Sequence, residues 1–394
     1  MELAFVFPTH LKEKYSYAII GGGVIGCSIA YHLSEELGED VVLFERDFIA
    51  SGSSGLAAGI LSQQLWNRFN IQLVKESIEW IAKKSEEDEG LVLNRNGLLR
   101  VVCTEEEAEQ LKSGVERQRS EGCNVKFLER GDIPGLTAEI AVDDVTGAAF
   151  CPDDSYVDPY QLCISFARMA EENGVRFLQK SKVRKIGTQN GSHILKTSKD
   201  RIHSDVVIVA SGPWSKKVSN MFGIYLPLKP YRTQAAITTP FMGDSKIPMV
   251  HDVTNDLYMK PETGGTVLAG NGTEDFESDP DNFKERAGFD FMTSISEKML
   301  RRLPRSKNAS LVRGWAGLCT ATPDRHPLIG LHSDAQGLFL AVGFNALGVM
   351  RAPAIGRIVG DMILERRTED YFSKFDPNRF KGTEDFEIRQ GFTL

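Results

Sequence analysis

YAIIGGGVIG, residues 17–26, joins a short apolar strand to a glycine-rich turn. Residues 27–37 are predicted to form a helix because their apolar side chains recur on one face. A second apolar strand, VVLF at residues 41–44, ends at Glu45. A strand, a glycine turn, a helix, a strand and an acid within about 30 residues predict a parallel βαβ unit.

The three spaced glycines of the turn meet separate steric demands of a dinucleotide site. Gly21 permits the tight turn, Gly23 lets the backbone approach a pyrophosphate, and Gly26 lets the helix pack close to the strand. The helix N-terminus adds free N–H groups and the positive end of a dipole. Glu45 lies 19 residues beyond Gly26, and a ribose-binding carboxylate is expected at about 20. The unit is therefore predicted to bind a dinucleotide.

The composition limits the class of protein. The 394 residues are 41% hydrophobic and 25% charged, proportions that are typical of globular domains and exclude a disordered or coiled-coil chain. At about 100–200 residues per domain, two or three compact units are expected. The net charge of −8 without Lys or Arg blocks argues against a nucleic-acid partner.

The cysteines and the apolar segments predict the compartment. Six cysteines are dispersed, with no CxxC pair and no His at zinc-finger spacing, which favours thiols in a reducing compartment and no metal site. The apolar patch Leu3–Phe7 is interrupted by Pro8 and is too short for a signal peptide. No segment reaches about 18 uninterrupted apolar residues. We therefore expect a cytoplasmic protein with no transmembrane segment, although peripheral membrane association stays open.

Parallel-type strands recur along the chain, separated by antiparallel material. Buried strands are predicted at residues 206–210 and 338–342, whereas residues 228–273 alternate apolar and polar side chains. The fold class is therefore predicted as α/β (α+β), a Rossmann-like cofactor domain with an inserted antiparallel-sheet substrate domain. Further helices are predicted at residues 70–84, 105–121, 160–173, 281–303 and 353–366, and further strands at 97–103 and 177–187. The predicted domains are a discontinuous cofactor domain of residues 15–85, 145–225 and 310–370, a substrate or cap domain of residues 86–144 and 226–309, and a C-terminal tail of residues 371–394.

Two further glycine-marked strand ends, at residues 210–212 and 343–348, indicate which dinucleotide binds. Nicotinamide enzymes usually build their site from one contiguous Rossmann domain. Distant segments that converge on one cofactor suit FAD, whose isoalloxazine is held away from its adenine. The last loop leads into a helix expected to begin near residues 352–353, and its N-terminus would stabilise negative charge on reduced flavin.

Motifs spread over nearly the whole chain together resemble one known family. They are GGGVIG at 21–26, SGSSGLAAGI at 51–60, DP at 158–159, ASGPW at 210–214, GWAG at 314–317 and TPD at 322–324. In order and spacing they resemble the D-amino-acid oxidase (DAO) superfamily of flavoproteins. FIASGS at 48–53, QQ at 63–64 and the segment 376–380 look closest to dye-linked L-proline dehydrogenase β subunits, with sarcosine dehydrogenases and oxidases nearby.

The resemblance implies a flavoenzyme that removes a hydride from the carbon next to an amine nitrogen. It also assigns FAD contacts position by position. These are Gly21, Gly23, Val24, Ile25 and Gly26 at the pyrophosphate, Glu45, Arg46 and Val183 at the adenosine, Ser53, Ser54, Ala58, Gly59 and Ile60 on the path to the flavin, Ser211, Gly212 and Trp214 from the middle strand, and Gly343, Ala346, Leu347, Gly348, Val349 and Met350 at the isoalloxazine.

Three departures from the family pattern refine what the resemblance implies. The Cys that tethers flavin in some relatives corresponds to Gly317, with Cys319 two residues away, so non-covalent FAD is expected. Leu268 aligns with the oxygen-activating Lys of the oxidases. Met350, followed by Arg351, takes the place of the Lys that grips the substrate carboxylate in sarcosine oxidases. Electron transfer to a carrier is therefore favoured over peroxide formation.

A carboxylate substrate is best held by a bidentate arginine. The candidates are Arg68, Arg232, Arg313 and Arg351. Among them, Arg232 and Arg351 are predicted as catalytic residues together with Tyr258, which lies on a strand that covers the flavin in relatives. Lys260 on the same strand, His251 and His326 are further candidates for the pocket.

The predicted function is oxidation of the CH–N bond of a small amino or imino acid, proline-like or sarcosine-like, by hydride transfer to FAD. An electron carrier or other subunits are possible partners. Two alternatives stay open. One is an FAD oxidase of glycine, D-amino acids or a 2-hydroxy acid that uses oxygen, and the other is a flavin-carrying subunit for electron transfer.

Overall fold

The computed structural model describes residues 11–243, 247–272, 274–276, 279–366 and 370–382. The predictions for Leu3–Phe7 and for residues 383–394 of the expected tail lie outside these described residues. Within them, two sheets and the helices packed on their faces carry the fold.

The first sheet contains the parallel βαβ unit predicted from the N-terminal sequence. Lys14–Ile20 lies at its centre, between Val41–Phe44 and Arg201–Val209, and runs parallel to both. The last residues of the three strands pair with one another, so their carboxyl ends form one edge. The strand order is Leu328–Leu331, Leu338–Val342, Arg201–Val209, Lys14–Ile20, Val41–Phe44 and Arg176–Leu178, with the hairpin Lys185–Gln189 and Ser192–Lys196 attached to Arg201–Val209.

Helices cover one face of the first sheet. They are Val24–Leu37, Arg68–Ser85, Pro159–Glu172 and Gly348–Ile363. The first and last approach closely, because Gly356 has no side chain to meet Ser28, whose hydroxyl donates to the carbonyl of Ala352 at 2.8 Å. No helix within the described ranges is long and apolar enough to cross a bilayer.

The second sheet is mainly antiparallel and nine-stranded among the described residues. Its order is Asp275–Phe276, Lys229–Thr238, Val267–Gly270, Leu257–Pro261, Met249–Asp252, Leu98–Val102, Gly147–Cys151 and Lys126–Leu128, with Leu311–Ala321 also paired to Lys229–Thr238. Helix Phe289–Arg302 covers one face through Phe291, Ile295 and Met299. Helix Glu105–Ser120 packs near Gly147–Cys151.

The other face of the second sheet is turned toward the first. There, Leu98 and Met249 pack against Ile60 and Tyr156. The last two residues belong to a two-stranded sheet, Ile60–Leu61 with Ser155–Tyr156, that lies between the two large sheets. Side chains on this face therefore point toward the carboxyl edge of the βαβ unit.

The mixed α/β class is confirmed, but several element boundaries differ from the prediction. The last helix begins at Gly348, before Pro353, so its N-terminus directly follows the glycine loop. Residues 281–288 are not helical, because their backbone is used by other segments, and the helix there is Phe289–Arg302. The stretch 177–187 is split between Arg176–Leu178 and the start of Lys185–Gln189.

Two segments assigned to the cofactor domain pair with the second sheet instead. Gly147–Cys151 is hydrogen-bonded to Leu98–Val102. Leu311–Ala321 pairs with Lys229–Thr238 along almost its whole length. Strand segments of both predicted domains therefore meet in one sheet, and the exact domain boundaries stay a prediction.

Candidate active site

A cleft with a volume of about 530 Å³ runs along the carboxyl edge of the first sheet, beneath the second sheet. Segments separated by more than 300 residues in sequence line it. The residues predicted to contact FAD that line the cleft are Gly21, Gly23, Val24, Ile25, Glu45, Arg46, Ser53, Ser54, Val183, Ser211, Gly212, Trp214, Gly343, Ala346, Gly348 and Val349. Those that do not line it are Gly26, Ala58, Gly59, Ile60, Leu347 and Met350.

The glycine turn closes one side of the cleft by steric necessity. Gly21 has a φ of +122°, and a Cβ there would lie 2.5 Å from the carbonyl oxygen of Ala210. A Cβ on Gly26 would overlap the carbonyl oxygen of Gly21. Larger residues would push the helix off the strand, so Gly26 shapes the cleft without lining it.

Glu45 is fixed at the end of its strand by two backbone donors. Its carboxylate accepts hydrogen bonds of 2.7 Å from the N–H groups of Gly22 and Asp47. Burial raises the pKa of Glu45, and these two hydrogen bonds oppose that rise. The carboxylate therefore has a set orientation beside the glycine turn, where a ribose hydroxyl could reach it.

A cluster around Asp281 joins three distant segments at this end of the cleft. Its carboxylate accepts from Arg46 and the indole Nε1 of Trp214, both at 2.7 Å, and from Lys217 at 2.6 Å. The Arg46 guanidinium also lies 4.4 Å from the centre of the Trp214 ring. Burial acts to raise the pKa of Asp281, but these donors outweigh it and hold the pKa well below the usual range.

The serine-rich loop, residues 51–59, meets both the helix N-terminus and the second sheet. Ser54 accepts a hydrogen bond of 2.9 Å from the backbone N–H of Val24, and Ser53 donates to the carbonyl of Leu318. At the far end, the loop Gly343–Leu347 leads into helix Gly348–Ile363. Along its length, the cleft thus presents first a carboxylate, then a glycine turn with a helix N-terminus, and finally a second helix N-terminus. This donor set fits an extended FAD.

Residues 16–362 match the DAO family, described as FAD dependent oxidoreductase. The chain belongs to this family. The resemblance noted from the motifs and the expected FAD cofactor are thereby confirmed.

Individual relatives in the DAO family cover the chain to different extents. Glycine oxidase of Geobacillus kaustophilus is 26% identical over 94% of this chain and 99% of its own length. Mitochondrial dimethylglycine dehydrogenase of Rattus norvegicus is 25% identical over 95% of this chain. The chain spans only 46% of that dehydrogenase. Among solved structures, L-proline dehydrogenase from P. horikoshii superposes with a TM-score of 0.88 and 29% identity, covering 96% of this chain and 100% of that chain.

Arg232 and Arg351, both predicted as catalytic in this DAO-family chain, are engaged by protein groups. Arg351 is fully buried and donates to the carbonyls of Leu347 and Phe344 and to the side chain of Asn70. Burial lowers its pKa to about 9. Arg351 therefore stabilises the loop before the last helix. It could contact a substrate only if these three hydrogen bonds were broken.

Arg232 braces a different segment, the non-helical stretch before Phe289–Arg302. Its guanidinium donates to the carbonyls of Lys284 at 2.8 Å and Arg286 at 2.7 Å, and to Gln234. It also pairs with Asp275 at 3.3 Å. Arg232 does not line the FAD cleft, unlike exposed Arg313, which does. Arg68 pairs with Glu121 on the protein surface.

Tyr258, the third predicted catalytic residue, lies on the face of the second sheet that is turned toward the cleft. Its ring lies over Gly270 on the neighbouring strand. Burial raises the pKa of Tyr258, and the nearby Cys319 thiol adds to that rise. Cys319 itself lines the cleft. Tyr258 is therefore a phenol at neutral pH, beside the wall of the cleft.

Two of the three departures from the family pattern, Gly317 with Cys319 and Leu268, lie on the sheet that carries this wall, whereas Met350 lies in helix Gly348–Ile363. Cys319 is half-buried, and burial raises the pKa of its thiol to about 11. Gly317 faces Leu56 of the serine-rich loop. Leu268 pairs with Lys260, and that lysine is buried in an ion pair with Glu262 at 2.6 Å. A charged lysine is thus present one strand away from the leucine.

Sequence reasoning missed Arg100, a buried residue of the same sheet. It interrupts the apolar strand Leu98–Val102 and is only 5% exposed. A cation inside an otherwise apolar strand was the available signal, because such a residue needs a specific reason to be buried. His251, a candidate from the sequence, lies directly beside it.

Proposed function

We propose that this protein oxidises the CH–N bond of a small amino or imino acid, with FAD as hydride acceptor and a separate carrier as electron acceptor. The observation that carries the proposal is the single cleft in which Glu45, the Gly21–Gly26 turn and the N-terminus of Gly348–Ile363 follow one another. The named activities of the relatives, glycine oxidase and L-proline dehydrogenase among them, support a CH–NH donor.

The chain's own groups hold and orient the reactants. Glu45 would offer its carboxylate to the ribose of FAD, and the N-terminus of Val24–Leu37 would hold the pyrophosphate. When bound, FAD supplies the two-electron acceptor next to the amine carbon. Gly348 begins a helix whose positive end favours negative charge in that part of the cleft. Trp315 lines the cleft from the covering sheet and Tyr258 lies beside it, so both would limit access of water.

Hydride transfer requires the amine to be neutral and its carbon to lie about 3–3.5 Å from the acceptor atom. Positioning therefore carries much of the catalysis, and the site does not need a nucleophile or a pair of carboxylates. Neutral groups around the amine serve this purpose. His251 and Tyr258 are such groups, because burial lowers the pKa of His251 to about 3 and raises that of Tyr258.

We infer that electrons leave to a carrier, because Leu268 stands where the resemblance places the oxygen-activating lysine of oxidases. The oxidase of glycine-like amino acids is the second candidate. It is favoured by the glycine oxidase of Geobacillus kaustophilus, which this chain matches over nearly all of its length. Lys260, buried one strand from Leu268, is the group on which that alternative would depend.

Anaerobic titration of the purified FAD-bound protein with L-proline, sarcosine, glycine and D-alanine tests the proposal. Bleaching of the flavin absorbance by at least one amine, followed by slow recovery in air and fast recovery with a dye acceptor, is the expected result. Rapid peroxide release in air would establish the oxidase instead. No bleaching with any amine would overturn amine oxidation, and turnover only after other chains are added would favour the electron-transfer subunit.

We further propose that FAD is held without a covalent bond and that the protein works in the cytoplasm. Gly317 offers no nucleophile, and Cys319 stays protonated at neutral pH. All six cysteines are free thiols, as a reducing compartment favours. Precipitation with acid should leave a colourless pellet and a yellow supernatant, whereas a yellow pellet would show a covalent bond.

A further inference from the structure

Arg100 carries a buried charge that the described residues leave without a hydrogen bond. Its Nε is sealed from solvent and has no partner there. Only 5% of the surface of Arg100 remains exposed to solvent. Burial lowers the pKa of Arg100 to about 10, so it stays charged at neutral pH. A buried guanidinium with no partner is costly, so its retention calls for an acceptor that the described residues do not supply.

The carboxylate that offsets the charge of Arg100, Asp154, already accepts hydrogen bonds from other donors. Its carboxylate accepts from the hydroxyl of Ser62 at 2.7 Å, the N–H of Gln63 at 2.7 Å and the amide of Gln64 at 3.0 Å. It offsets the charge of Arg100 through space. It leaves the donors of the guanidinium unused, and a second anion can therefore reach them.

Arg100 shares a sheet face with His251 and Tyr258. His251 pairs with Arg100 on one side and with Tyr258 on the other, so the three side chains leave the sheet in one row. Neighbouring strands are about 4.8 Å apart, which places the backbones of Arg100 and Tyr258 about 10 Å from one another. His251 stands between them, so a small amino acid that reaches both Arg100 and Tyr258 would lie across the row.

The row lies on the sheet face that is turned toward the cleft, although none of its three side chains lines the cleft itself. Leu98 and Met249, two residues before Arg100 and His251 on their strands, pack against Ile60. Ile60 follows the serine-rich loop that lines the cleft. At the other end of the row, Tyr258 lies beside Cys319, which forms part of the cleft wall. The row thus runs from a buried cation to the wall of the cleft.

We propose that Arg100 is the anchor for the substrate carboxylate, with neutral His251 and Tyr258 placing the amine end toward the flavin. The inference rests on the proposed function and names its substrate class as an amine that carries a carboxylate. A planar guanidinium can bind a carboxylate with two parallel hydrogen bonds. None of the four arginines singled out from the sequence has this combination of burial and unused donors.

Binding of unreactive acids tests the anchor without turnover. Calorimetric titration of the FAD-bound protein would compare acetate and cyclopentanecarboxylate with acetamide and cyclopentanecarboxamide. Wild type is expected to prefer each acid over its amide, and Arg100→Met is expected to weaken acid binding about 100-fold with little change for the amides. Arg95→Met is the matched control, because Arg95 lies five residues away and is exposed.

The outcomes separate this anchor from the proposed reaction. Arg100→Lys keeps the positive charge but loses the two parallel N–H donors of the guanidinium, so it should bind acids with intermediate affinity. This variant replaces Arg100→Met in the test if the Met variant fails to fold. Equal binding of acid and amide by wild type, or equal losses for both in Arg100→Lys, would overturn the anchor even if amines bleach the flavin. Loss of acid preference in the variants, without bleaching by any amine, would keep the anchor and overturn amine oxidation.

Discussion

The phenol ring of Tyr258 lies over Gly270, in the space that a side chain at position 270 would fill. The two residues are direct partners on adjacent antiparallel strands. Glycine at position 270 thus allows the tyrosine to lie flat along the sheet and reach the neighbourhood of Cys319. The position of the phenol is thus set by a residue that has no side chain.

Gly270→Ala should therefore slow flavin reduction while leaving FAD bound. The new methyl group would overlap the phenol and displace it, and a displacement of about 1 Å at a reacting centre costs about 10–100-fold in rate. Stopped-flow reduction and the flavin-to-protein absorbance ratio measure the two effects. Gly187→Ala is the control, since nothing lies within 4 Å of a Cβ there. If the flavin of Gly270→Ala were reduced at the wild-type rate, the position of the Tyr258 phenol would not be important for flavin reduction.

Gly26→Ala should lose FAD and stability together. Its Cβ would overlap the carbonyl oxygen of Gly21, so the helix must move away from the strand that it follows. Overpacking of this kind costs about 1–3 kcal/mol of unfolding free energy. Gly360→Ala, whose Cβ would meet His32 at an ordinary 3.5 Å, should keep both. Chemical denaturation and flavin content provide the measurements, and equal behaviour of the two variants would contradict the role of Gly26.

Asp281→Asn should weaken FAD binding at the adenosine end by about tenfold, because a charge-assisted acceptor shared by three donors is lost. Arg46 and Trp214, which both line the cleft, would no longer be held together by it. Quenching of FAD fluorescence on titration into apoprotein gives the dissociation constant. Glu116→Gln changes the charge equally at an exposed position and should leave the constant unchanged. An unaltered constant in Asp281→Asn would remove this cluster from cofactor binding.

His251 should make the protein sensitive to acid. Burial and the charge of Arg100 lower its pKa to about 3, whereas the unfolded chain has a histidine pKa of about 6.5. The unfolded state therefore binds more protons in this window, and stability falls as pH drops from about 6.5 toward 3. His251→Asn should show a shallower loss of melting temperature between pH 6.5 and 4.5. Parallel curves for the two proteins would mean that His251 is protonated in the folded state.

The βαβ unit could be predicted from the sequence because its signals are local. The strand 41–44 was placed at its observed bounds, and Glu45 follows from a fixed spacing. The helix expected at 281–303 was too long, since residues 281–288 have helix-like composition but are held by Arg46 and Arg232 from other segments. No local pattern reports such long-range contacts.

Arg100 was missed for a related reason. Its strand was predicted, but its neighbour Met249–Asp252 comes about 150 residues later and runs parallel to it. Only that pairing brings Arg100, His251 and Tyr258 into one row. Conversely, Arg351 was predicted as a catalytic residue because it follows the last loop. In the structure its side chain points into the protein interior and donates to Asn70.

A crystal structure of the purified protein with bound cofactor and cyclopentanecarboxylate tests the central claim most directly. One FAD should run from Glu45 past the Gly21–Gly26 turn to the N-terminus of helix Gly348–Ile363. The acid should lie between its isoalloxazine and the guanidinium of Arg100. A nicotinamide cofactor in the cleft, or FAD whose isoalloxazine lies away from the Arg100, His251 and Tyr258 row, would contradict it.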